Sequence, residues 1–136
     1  MTQLVKNRIG GIFVPVRDVA KAREWYLGLL GLPRDDEPLD PEHLYVIPME
    51  DPKIILDEMP EWGGDQPDGP PTYQTPAFML DTDDVHAAHT HVRDYGADMV
   101  TDVNELDSVS WFVFRDLDGN HLMVCGANPQ NGDSSK

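Results

Sequence analysis

Displacing the chain against itself by 66 positions brings one half into register with the other. Ile12-Phe13-Val14 falls on Phe78-Met79-Leu80, and Asp18, Val19 and Ala22 fall on Asp84, Val85 and Ala88. Each half then runs in the same order: a strand, a capped helix, a glycine stop, and strands ending in a hairpin. Such a chain folds as two copies of one unit. Two βαβββ modules, each with a half-covered sheet, are expected to place helices outside and wrap their other faces around a shared cleft, an α+β architecture.

The elements follow from pattern and punctuation. Ile9 to Val16 reads as a strand with Ile12, Val14 and Val16 on one face and Gly11, Phe13 and Pro15 on the other. Pro15 cannot donate to a ladder, which marks a strand end or edge. Asp18 is a good N-cap, and Val19, Ala22, Trp25 or Tyr26, and Leu29 or Leu30 recur at helical spacing until Gly31 and Pro33 end the run. His43 to Pro48 and Lys53 to Glu58 suggest a hairpin. Ile54-Ile55-Leu56 is continuously apolar and leaves open whether Asp57 or Glu58 points inward. Pro60 to Pro76 is rich in Pro and Gly and reads as a linker. Beyond it, Ala77 to Asp81 is a strand, Thr82 or Asp83 caps a helix through about Tyr95 with Val85, Ala88, Val92 and Tyr95 buried, and Gly96 stops it. Met99 to Val103 is a strand and Asn104 to Asp107 a turn. The expectation is one domain over 8–128, with modules over about 8–59 and 77–128, a linker over 60–76 and a flexible tail over 129–136.

The most informative stretch is Ser110 to Cys125. Aromatic and β-branched residues run to Arg115, apolar residues resume at Leu122, and Asp116 to Asn120 supply turn chemistry, so a hairpin is expected with Gly119 at positive φ. Alternation puts Phe112, Phe114, Leu122 and Val124 on one face, ready for a helix. Trp111, Val113, Arg115, His121, Met123 and Cys125 share the other, and that mixture of apolar groups with a cation, an imidazole and a thiol suits the wall of a ligand pocket.

Composition narrows the partners. At 136 residues one compact unit can bury roughly 70% of its unfolded surface. Cys125 is the only cysteine, so no intrachain disulfide forms and a reducing, cytoplasmic setting is expected. The N-terminal part carries no leader pattern, and Ile9 to Val16 falls short of the ~20 apolar residues of a membrane span. The formal charge is −15, from 25 acidic and 10 basic residues. Such a surface repels phosphate backbones, which argues against nucleic acid and suits solubility, adaptation to salt or acid, or a cationic ligand.

The element order, the run Val16-Arg17-Asp18-Val19 leading to Trp25-Tyr26 and Leu29 to Leu32, and above all Phe114-Arg115-Asp116-Leu117-Asp118-Gly119-Asn120 resemble the vicinal oxygen chelate superfamily. That group includes glyoxalase I, extradiol dioxygenases, fosfomycin resistance enzymes and bleomycin resistance proteins. The resemblance covers roughly Arg8 to Asn128 and implies a half-barrel cleft and, by analogy, a homodimer. In catalytic members a divalent metal is held by His, Gln or Glu from the first and last strands of each half. Carried onto this chain, those positions fall on Gly11, Ala77 and Met123, with Asp57 or Glu58 near the fourth. A hydrogen, a methyl and a thioether offer no hard ligand, and a catalytic divalent metal needs about three protein ligands.

Other metal or catalytic patterns are weaker. His86, His89 and His91 diverge around a helix at 100° per residue. Asp116, Asp118 and Asn120 lack the further oxygens of a calcium loop, and neither a phosphate-cradling loop nor a nucleophilic triad is evident. What remains is a ligand-binding cleft lined by Phe13, Met79, Trp111, Val113 and Met123, with Arg115, His121 and Asp81 as polar handles. The expected function is metal-independent sequestration or sensing of a small organic molecule, without a cofactor. The alternatives are a lyase, isomerase or dioxygenase with a relocated metal site on Asp57 or Glu58, His121 and His43, and a structural module whose cleft is filled by its own side chains.

Overall fold

The 66-residue displacement carries straight into the helices. In the computed structural model, which describes residues 4–128, α1 spans Val19–Leu29 and α2 spans Val85–Tyr95, so both ends keep the offset. Their caps keep it too. Asp18 accepts from the amides of Ala20 (3.1 Å) and Lys21 (3.2 Å), and Asp84 accepts from that of Ala87 (3.0 Å). The second cap is therefore neither Thr82 nor Asp83. The Thr82 hydroxyl instead accepts the Asp84 amide at 3.1 Å, setting the entry to the helix. Gly96 closes α2 at φ +103°, where its amide reaches the Arg93 carbonyl, a conformation a Cβ would oppose.

The chain divides after Pro71 into two compact units. In the first, β1 (Gly11–Pro15), β2 (Leu44–Val46) and β3 (Lys53–Asp57) form a sheet of order β1-β3-β2, with β1 parallel and β2 antiparallel to β3. β1 is an edge strand ending at Pro15, where no ladder donor is needed. Val14, Ile54 and Leu56 are buried, as are Val19, Ala22, Tyr26 and Leu29 of α1. Thus Ile54 and Leu56 belong to the core, and Ile55 and Asp57 share the opposite, open face.

The first half carries three strands among the described residues rather than the four of a βαβββ unit. Residues 34–40, acidic and Pro-containing, are held by side chains instead of a ladder. Arg23 donates to the Glu37 carbonyl (2.8 Å), and the Tyr45 hydroxyl donates to Asp35 (2.8 Å). Burial first, and then the Asp35 carboxylate, push the Tyr45 hydroxyl up to about 12. Because the folded value lies above the unfolded one, near 10, this contribution to stability is complete below pH 10 and is lost as pH rises towards 12. Burial also raises the Tyr73 hydroxyl, so an absorbance titration at the tyrosinate band should lose part of its late amplitude in Tyr45→Phe; an unchanged late region would contradict the assignment.

In the second unit, β4 (Met79–Asp81), β5 (Asp98–Met99), β6 (Asn104–Glu105), β7 (Val109–Arg115) and β8 (His121–Ala127) form a sheet of order β4-β8-β7-β5, with β6 also on β7. Only the β4–β8 pair is parallel. The strand expected over Met99 to Val103 is interrupted, because the amides of Val100 and Thr101 both donate to the Val113 carbonyl (2.9 and 3.1 Å). Two residues opposite one make a bulge. Pairing resumes at Asn104–Glu105, which is strand rather than the expected turn.

Phe112, Phe114, Leu122 and Val124 are buried, as are Val85 and Val92 of α2. The His89 ring meets Phe112 edge-on at 5.0 Å. Tyr95 does not join that stripe. It is exposed, and its ring lies 6.3 Å from His91 one turn back on the helix surface. No helix among the described residues is long and apolar enough to cross a membrane, and the tail expected over 129–136 lies outside them.

Candidate functional site

Strand register builds a patterned surface on the second unit. Met79 is paired with Met123, and Met123 with Val113, so one row across β4, β8 and β7 reads Met-Met-Val. On one side of it lies the row Asp81, Cys125, Trp111; on the other lie His121, Arg115 and Asp98. Alternation puts all of these on the face opposite Phe112 and Phe114. Val113 is buried, Trp111, Met123, Cys125, Arg115 and His121 are half-buried, and Met79 is 53% exposed. Six of the seven residues expected to line a ligand site therefore share one face. Phe13 belongs to the first unit, where it lies in register with Ile55 and Val46 on that sheet's own open face.

The polar handles differ in what they offer. Arg115 donates to Asp98 at 2.8 Å, which neutralises it locally, although so exposed a pair adds little stability. His121 is better positioned. Its backbone amide donates to the Tyr73 carbonyl at 2.9 Å and its Nδ1 lies 3.1 Å from the same oxygen. A carbonyl oxygen only accepts, so Nδ1 carries the proton, and in the neutral ring Nε2 is left as the acceptor. Asp81 is exposed beside Cys125. Neither Asp98 nor the Tyr73 carbonyl was foreseeable from the hairpin pattern, because Asp98 opens a two-residue strand just ahead of the bulge and Tyr73 lies in a stretch whose composition signals only a loop.

The Asp116–Asn120 turn fixes where His121 begins its strand. Asp116 accepts from the amides of Asp118 (2.9 Å) and Asn120 (2.8 Å) and from the Asn120 side chain (3.0 Å). Gly119 adopts φ +94°. Asn120 accepts the Tyr73 amide at 2.7 Å, so the turn also ties down the segment that orients His121. These oxygens are engaged in building the turn.

The residues at the catalytic relatives' ligand positions do not fit a hard divalent metal. A Cβ added at Gly11 would come within 2.8 Å of the Ile55 side-chain tip, so a ligand side chain there requires Ile55 to move. Ala77 precedes β4, and Met123 offers a thioether. Glu58 accepts the Val19 amide at 2.9 Å and so caps α1, while Asp57 stays on the open face of β3 and accepts the Met59 amide at 2.8 Å. Among the described residues, no group of three His, Cys, Asp or Glu is placed to hold a metal ion. The helix histidines diverge: His86 lies 2.6 Å from Glu105 at the surface, and His89 packs on Phe112. A cavity of about 410 Å³ beside the start of α2, lined by Asp83, His86, Glu105, Ser110 and Asn128 among others, lies apart from the patterned face.

The fold has close structural counterparts. A protein of the glyoxalase/bleomycin resistance protein/dioxygenase superfamily from Sphaerobacter thermophilus DSM 20745 superposes with TM-score 0.70 at 21% identity, covering 91% of this chain and 99% of its own. TnmS3, an antibiotic binding protein from Streptomyces sp. CB03234, gives 0.66 at 21% identity, covering 93% and 100%. Lactoylglutathione lyase from Agrobacterium tumefaciens gives 0.66 at 17%, covering 90% and 95%. No curated protein matches. Identities this low establish the fold alone, but the family described as Glyoxalase/Bleomycin resistance protein/Dioxygenase superfamily matches residues 8–124 directly. With the duplicated strand–helix order and the Asp116–Asn120 hairpin turn in place, the chain belongs to that superfamily.

Proposed function

We propose that this protein binds a small organic molecule on the open face of the second sheet, sequestering or sensing it without a divalent metal. The observation that carries this reading is the composition of that face: Met79, Met123 and Val113 lie in register with Trp111 in the adjoining row, and an oriented histidine acceptor and an Arg115–Asp98 pair stand at one end. An indole and two thioethers suit dispersion and stacking against an aromatic guest. The fold relationship to an antibiotic binding protein supports a binding role, and the charge of −15 favours a cationic guest.

A thermal-shift screen with planar aromatic compounds, half of them cationic and half neutral, tests it. Cationic members are expected to raise the melting temperature most, and Trp111→Ala is expected to weaken the best binder at least tenfold. No stabilisation by any compound, or affinity unchanged in Trp111→Ala, would refute the site. Elemental analysis of protein purified without chelator addresses the enzyme reading suggested by the lactoylglutathione lyase relationship. Stoichiometric zinc, iron, manganese or nickel lost on His121→Ala would replace the binding reading with catalysis.

A further inference from the structure

The Met-Met row has a chemistry that an organic guest does not require. Met79 and Met123 are register partners on parallel strands, so their backbones lie about 4.8 Å apart. Each thioether sits on three rotatable bonds, which lets both sulfurs approach one point above the sheet. His121 is two residues before Met123 on the same face, about 6.6 Å along the strand. Its Nδ1–H is held by the Tyr73 carbonyl, the arrangement that fixes the tautomer and ring orientation of metal-binding histidines and presents Nε2 as the donor. Two thioethers and an imidazole form a soft set, which selects copper(I) over the hard divalent ions that oxygen ligands prefer.

We propose that Met79, Met123 and His121 Nε2 form a site for one soft monovalent cation, copper(I) or silver(I). The site lies within the second unit alone and goes beyond the organic-ligand reading, since it uses donors rather than stacking area. Cys125 lies two residues beyond Met123, on the side away from His121. With its short side chain it cannot meet an ion held by His121, so the thiol is a neighbour and not a ligand. The excess of carboxylates over basic groups adds a general attraction for cations.

Silver(I), which needs no reductant, is the probe. Titration into Cys125→Ser protein, which removes simple thiol capture, is expected to saturate at one equivalent. It should shift the methyl resonances of Met79 and Met123 and leave those of the other four methionines in place. Met79→Leu, Met123→Leu and His121→Leu should each weaken binding at least tenfold, and competition with a copper(I)-selective chelator should give the same order for copper(I). Leucine keeps the methionine volume, so circular dichroism should be unchanged. Binding that disappears with Cys125→Ser, or that survives all three leucine variants, overturns the proposal. Guest binding is measured without silver and depends on Trp111, so either idea can fail alone.

Discussion

Asp116→Ala should lower the stability of the fold by at least about 3 kcal/mol, because hydrogen bonds to a charged acceptor contribute ~1.5–3 kcal/mol each and buried donors left without a partner cost a further ~1–3. The carboxylate takes the amides of Asp118 and Asn120 on one oxygen and the Asn120 side chain on the other. Asp116 is nearly buried and Asn120 fully so, so water cannot replace the lost acceptor. Asp116→Asn is expected to lose about half as much, since one oxygen remains while an amide NH₂ meets the Asn120 NH₂. Leu117→Ala, exposed in the same turn, should stay within about 0.5 kcal/mol. Urea midpoints decide it, and a loss under about 1 kcal/mol for Asp116→Ala would show that the turn stands without its carboxylate. Because Asn120 also holds the Tyr73 amide, the Ala variant should weaken guest and silver binding as well, through a disordered His121.

The repeat proved a better guide than local chemistry. It aligned Asp18 with Asp84, and Asp84 is the cap. Residue preference alone favours Thr82 or Asp83, because Ser, Thr and Asp all cap well and the sequence gives no φ values to separate them. The hairpin faces were legible for a related reason, since strict alternation leaves one register compatible with a buried Phe112-Phe114 pair. Where alternation failed, so did legibility. Ile54-Ile55-Leu56 fits either face, and only the pairing of Val14 with Leu56 shows that Glu58 is left to reach the Val19 amide. The bulge at Val100–Thr101 depends on two amides sharing one carbonyl, and no residue type announces that. The common face of Trp111, Val113, Arg115, His121 and Met123 followed from the same alternation, whereas the direct pairing of Arg115 with His121 comes from the register. What was missing came from distant backbone: the Tyr73 carbonyl that sets the His121 tautomer, and the parallel register that puts Met79 beside Met123.

Phe112→Ala is the second large effect, expected at about 3–5 kcal/mol for a fully buried aromatic. Phe112 lies on β7, flanked by β8 and by β5 and β6. Its ring contacts His89 edge-on at 5.0 Å and lies 6.1 Å from Phe114. Removing it opens a cavity under α2, whose fully buried contribution is only Val85 and Val92, so the helix has little else to hold it. Phe112→Leu should cost less, about 1–1.5 kcal/mol. Its neighbour Trp111 is larger, yet it points the other way and is half-buried. Trp111→Ala should therefore cost under about 2 kcal/mol, in keeping with the loss of partly exposed area at ~25 cal/mol per Å², while abolishing most guest affinity. Adjacent residues on one strand then divide stability from binding, as measured by urea midpoints and by ligand titration on both variants. Equal destabilisation by the two substitutions would mean that the open face is packed as tightly as the helix side, leaving no room there for a guest.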